Sequence, residues 1–166
     1  MNGGSVSGEF LARIPIFGGL PPEALNRIIE SGSVIEAPAG TSLCAEGEAA
    51  RSVYVVWEGE LEICKRGRGG DIRLAVLRSG DCVGEMSLID IQPRSATVRA
   101  LIPSVLFRLD HAEIAKLYRS HSDVYLMLVM NIAREISRRL RRADQVLANM
   151  GIGSQDMWST DAASPR

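Results

Sequence analysis

Val83-Gly84-Glu85-Met86-Ser87-Leu88-Ile89-Asp90-Ile91-Gln92-Pro93-Arg94-Ser95-Ala96-Thr97-Val98 is the stretch around which the chain is organised. Gly84 accepts backbone angles closed to other residues and lets a ligand come close to the main chain. Glu85 to Ile89 has the composition of a single helical turn, whose free N–H groups and positive dipole end attract an anion. A carboxylate repels a phosphate, so Glu85 is expected to turn aside and accept hydrogen bonds from a neutral diol such as a ribose. Arg94 supplies the counter-charge, with a planar fork that holds two phosphate oxygens at once. Pro93 keeps Gln92 extended and fixes the direction in which the chain enters Arg94. Ser95 adds a hydroxyl donor. The combination suits a small, singly charged phosphate ester.

Gly84-Glu85-Met86-Ser87-Leu88 followed by Pro93-Arg94-Ser95-Ala96-Thr97-Val98 resembles the phosphate-binding cassette of cyclic nucleotide-binding domains. Such domains serve cAMP-dependent regulators, kinase regulatory subunits and nucleotide-gated channels. By that resemblance Glu85 holds the ribose 2′-hydroxyl and Arg94 the cyclic phosphate. Gly84, Met86 and Ser87 give backbone contacts, Ser95 a hydroxyl, and Val83 and Ala96 complete the ligand-binding set. A surface turn with an ordinary Glu–Arg ion pair is the plainer alternative.

The chain has 166 residues, enough for one domain with a real core, and 19 basic residues against 20 acidic ones. This balance argues against nucleic acid or an anionic membrane as the main partner. Cys44, Cys64 and Cys82 lack metal-binding spacing, and an odd count fits a reducing compartment. No signal peptide is evident, and no run approaches the ~20 apolar residues of a membrane span. A soluble, cytoplasmic protein is expected.

Residues 1–8 read as a flexible N-terminus and 9–150 as the domain. Phe10, Leu11 and Ile14 share a helical face that Pro15 ends, and a second helix starts at Pro21-Pro22-Glu23 and stops at Gly32. This lead-in is similar to the helical segment that precedes the barrel in the same family. Short strand-like runs then follow at Val34-Ile35, Ser42-Leu43-Cys44, Ser52 to Trp57, Leu61 to Lys65, Ile72 to Leu77, Ala96 to Leu101 and Val105 to Leu109. Glycine-bearing turns separate them, with Gly47, Gly59 and Gly80 where the family places its turn glycines. The expected fold class is α+β, a jelly-roll-like antiparallel β-barrel flanked by N-terminal helices and a long C-terminal helix. Ile63 and Leu74-Ala75-Val76 are candidates for an apolar wall against a base, and equally for plain core. His111 and His121 lie outside the strands, too few for a metal-dependent enzyme on a similar barrel, so no metal, cofactor or catalytic residue is expected.

A short helix from His111 to Tyr118 precedes a long one, residues 122–149. Val129, Ala133, Ile136, Leu140, Ala143, Leu147 and Met150 alternate spacings of four and three, a coiled-coil stripe. By analogy with the family this helix covers the nucleotide and forms a homodimer. A helix packed entirely on its own domain is the alternative. Arg134, Arg138, Arg139, Arg141 and Arg142 read as a solvated face, one of them available to stack on the base. Residues 151–166 are a polar tail, too short for the DNA-binding helices that a transcription factor of this family carries. The expectation is therefore a stand-alone cyclic nucleotide receptor, not an enzyme. It signals through its C-terminal helix to an unknown downstream protein. Ser95 stands where a threonine often accompanies cGMP preference in the family, which favours cAMP and leaves cGMP open. A fragment of a larger channel or regulator, and a non-binding dimeric scaffold, are the other readings.

Overall fold

The computed structural model describes residues 6–150. Its strands are β1 (Ser33–Ala37), β2 (Ser42–Cys44), β3 (Ser52–Glu58), β4 (Leu61–Gly67), β5 (Gly70–Leu77), β6 (Cys82–Val83), β7 (Thr97–Ala100) and β8 (Ser104–Asp110). They form two four-stranded sheets in the orders β1-β8-β3-β6 and β2-β7-β4-β5. Every pairing is antiparallel, and most join strands far apart in sequence. This is the expected jelly roll.

Why β3 and β8 are apolar on both faces follows from where they sit. Val56, Leu61, Val98 and Leu106 meet between the two sheets and fill the barrel. Val53, Val55, Phe107 and Leu109 point the other way, into a second cluster built with the helices. A strand covered on both sides reads as a nearly continuous apolar run, and Val53-Tyr54-Val55-Val56 does.

The helices are α1 (Gly8–Ala12), a 3₁₀ turn at Pro15–Phe17, α2 (Pro22–Ser31), α3 (Ser87–Asp90), α4 (His111–Ser120) and α5 (Ser122–Asn149). α1 begins one residue before the expected Glu9, because Ser7 accepts from the Phe10 amide and caps it. Val6, within the stretch read as flexible, is buried in the helical cluster. Gly32 ends α2 as expected but with φ −95°, an ordinary value. Its reason to be glycine is close approach, since a Cβ there would overlap the Phe107 ring. The tail expected over 151–166 lies outside the described residues.

α5 does two things along its length. Val124, Leu128 and Ile132 are buried against the domain, and Ile136 packs on the same cluster. The Asn131 amide donates to the Gly18 carbonyl at 2.8 Å and the Ile16 carbonyl at 3.3 Å, tying α5 to the 3₁₀ turn. Further along, Leu140, Val146 and Met150 are exposed. At 1.5 Å per residue α5 is about 42 Å long, more than the domain can cover.

Candidate functional site

β6 ends at Val83 and the chain reverses at Gly84, whose φ of 90° is strained for any side chain. The site is also crowded: a Cβ at Gly84 would overlap Arg94 Nη1 and lie 2.6 Å from the Ser52 carbonyl. Two residues later than the sequence suggested, α3 starts at Ser87, with Met86 already at helical angles as its cap. Ile91 ends α3 in the left-handed region at φ 56°.

Arg94 is fixed at both ends. Its amide donates to the Glu48 carbonyl at 2.8 Å, and its carbonyl accepts from Gly47 at 2.9 Å. Its Nη2 donates to the Ser52 carbonyl at 2.7 Å, and the guanidinium lies 5.8 Å from the Tyr54 ring centroid. Nη1 is buried with no partner.

Glu85 is 1% exposed. Its Oε1 accepts from Arg139 Nη1 of α5 at 2.7 Å, and its Oε2 is buried with no partner. Burial pushes the Glu85 carboxyl above the usual range, with Arg139 opposing. At Arg139 burial pulls down, but Glu85, Cys82 and Glu135 together push further up, so the guanidinium holds its charge. The difference is physical: Arg139 keeps a third of its side chain in solvent and Glu85 almost none. Arg139 also donates to the Cys82 carbonyl at 2.9 Å and to Glu135 at 3.2 Å. The Cys82 thiol is pushed up to about 12 by burial and by Glu85, which makes it an inert core group.

Val83, Gly84, Glu85, Met86, Ser87, Arg94, Ser95 and Ala96 line one pocket, with about 610 Å³ of unfilled space including its open mouth. Cys44, Ile63 and Val98 give it an apolar wall, and Asp90 and Gln92 form part of its rim. The other candidate wall, Leu74-Ala75-Val76, does not line it, and Leu74 is exposed. Of the five arginines on α5, only Arg139 is a lining residue. The signal for it was present: Leu128, Ile132, Glu135 and Arg139 continue one helical face at steps of three and four. Among the described residues no group of His, Cys, Asp and Glu could hold a metal ion, and no helix is long and apolar enough to cross a membrane.

The family model described as "Cyclic nucleotide-binding domain" matches residues 34–121, just over half of the chain. This chain belongs to the cyclic nucleotide-binding domain family. The CRP-like cAMP-activated global transcriptional regulator of Mycobacterium tuberculosis is 27% identical over 143 residues, covering 86% of this chain and 62% of that protein. The chain thus spans about three fifths of that relative's length. A cAMP-dependent protein kinase regulatory subunit of Yarrowia lipolytica is 36% identical over 91 residues, 55% of this chain and 24% of that one. Among solved structures, the Thermus thermophilus catabolite activator protein superposes with a TM-score of 0.71 at 30% identity, covering 82% of this chain and 63% of that one. Within this cyclic nucleotide-binding domain, the matched stretch contains every pocket-lining residue from Cys44 to Val98, whereas Arg139 lies beyond it.

Proposed function

We propose that this chain binds a cyclic nucleotide monophosphate in the pocket between Gly84 and Arg94, with cAMP favoured over cGMP, and reports its capture through α5. One observation carries the reading. Among the described residues the buried side-chain polar atoms without a partner are Glu85 Oε2 and Arg94 Nη1, and both belong to this pocket. Leaving such atoms unpaired is costly, and a ligand with a hydroxyl at one end and an anion at the other would satisfy both. A ribose 2′-hydroxyl donates to Glu85 and a cyclic phosphate accepts from Arg94 and Ser95. Gly84, Met86 and Ser87 supply main-chain contacts, Val83 and Ala96 shape the floor, and the base lies along Cys44, Ile63 and Val98. No catalytic step is assigned.

The response is assigned to α5, because Arg139 joins it directly to Glu85. Only a difference in affinity between two placements of α5 can drive a change. The exposed Leu140, Val146 and Met150 support a homodimer through this helix, whose surface a downstream protein reads.

Calorimetric titration with cAMP and cGMP, beside an Arg94→Ala variant, tests the reading. Tight cAMP binding that falls on the order of a hundredfold in the variant is expected. Failure of the wild type to bind either nucleotide overturns it. Light scattering of the wild type and Leu140→Glu tests the dimer, with a dimeric mass expected for the first and a monomeric mass for the second.

A further inference from the structure

His111, the first residue of α4, reaches the cassette from behind the pocket. Its amide donates to the Arg51 carbonyl at 2.9 Å, which fixes where the half-buried ring begins. Its Nε2 lies 3.5 Å from Ser87 Oγ, and that hydroxyl donates to the Gly84 carbonyl at 2.8 Å. A serine hydroxyl has one proton to give. With that proton committed to Gly84, the contact between Ser87 and His111 closes when Nε2 is the donor. Protonation of the imidazole guarantees such a donor. The ring therefore ties α4 to the two residues that open the cassette.

The charged groups facing it come from two elements. Arg94 of the cassette opposes an imidazolium, and Asp110, just before α4, favours one. Burial and then Arg94 hold His111 below its ordinary value of 6.5, against the Gly84 carbonyl and Asp110. An anion seated on Arg94 cancels the positive charge that the ring feels and leaves the carbonyl and Asp110 in place. We propose that His111 is a positioning residue that fastens the cassette to α4 and takes up a proton when an anionic ligand is captured at Arg94. The inference rests on the nucleotide reading of the pocket. It makes affinity rise on mild acidification, because the bound state holds the proton more tightly than the free state.

The full chain has two histidines, so proton NMR can follow His111, identified by the resonance that His111→Gln removes. Without ligand, the His111 midpoint is expected below 6.5. With saturating cAMP it moves up by about half a unit or more, and a half-unit rise makes binding up to about threefold tighter below the free midpoint than above the bound one. Calorimetry with His111→Gln, which keeps a side-chain donor and cannot titrate, is expected to lose this slope. A His111 midpoint unmoved by bound cAMP, or an identical slope in His111→Gln, overturns the proposal and leaves the nucleotide reading standing. No cAMP binding at any pH overturns both.

Discussion

Arg139 Nη1 donates to Glu85 Oε1 across 2.7 Å, joining two residues 54 positions apart. The pair links the floor of the pocket to the long helix through one oxygen of a buried carboxylate and leaves the other oxygen for a ligand. Substituting Arg139→Gln should strand the Glu85 charge. A fully buried pair loses more on such a change, but Arg139 is partly solvated, so the expected loss is about 1–3 kcal/mol. Urea unfolding measures it, and hydrogen exchange should show faster opening of α5 around Glu135 to Arg142. Unchanged stability together with unchanged exchange would falsify the role given to this pair.

Glu85 carries a pH signature of its own. Its carboxyl is raised from 4.5 by burial. A raised value means that the native fold favours the protonated form. The associated stability is fully present below 4.5 and is lost as pH rises through the raised value. Glu85→Gln mimics the protonated form at every pH. The variant should gain on the wild type as pH rises above 4.5 toward neutrality, while its cAMP affinity falls. Parallel stability curves for the two proteins would contradict the assigned burial.

At Gly84 the backbone angle and the space both exclude a side chain. Gly84→Ala combines a left-handed conformation, about 1–2 kcal/mol for an L residue, with overlap of the Arg94 fork. The predicted result is a loss of stability of at least that size and weaker nucleotide binding by calorimetry. A stable variant with native affinity would show that the turn can move aside.

Ile91 offers the opposite case. It is β-branched, 88% exposed and left-handed at φ 56°. Asparagine tolerates that region better, so Ile91→Asn should stabilise by about 1 kcal/mol, a rise of about 2–4 °C in Tm for a domain of this size. Differential scanning calorimetry decides it. A lower Tm would mean that the isoleucine makes a contact worth more than the strain it bears.

Much of this was legible in the sequence because it depends on local chemistry. Gly84, Glu85, Arg94 and Ser95 had to meet, given a short turn between them, and the glycine-punctuated apolar runs read directly as strands. What escaped depends on tertiary packing. β6 is two residues long, too short for any alternation to show. Gly32 is the helix stop it looked like, but its second role, leaving room for Phe107, did not show. The five arginines of α5 looked alike as a solvated face; Arg139 continues the face of Leu128, Ile132 and Glu135, and the way the helix lies on the barrel brings it to the pocket. Cys44 and Val98 were not among the residues expected to form a wall, and they are core residues that also face the pocket.

The clasp between Asn131 and the carbonyls of Ile16 and Gly18 pins α5 about a third of the way along its length, where a fulcrum would lie if the helix swung. Arg139 sits about 12 Å beyond that fulcrum and Met150 about 28 Å, from the rise of a helix. A displacement of about 1 Å at Arg139, where the helix touches Glu85, therefore becomes about 2.4 Å at Met150 if α5 swings as a rigid rod. On that geometry a small adjustment beside Glu85 would be larger at the stretch of α5 where Leu140, Val146 and Met150 are exposed.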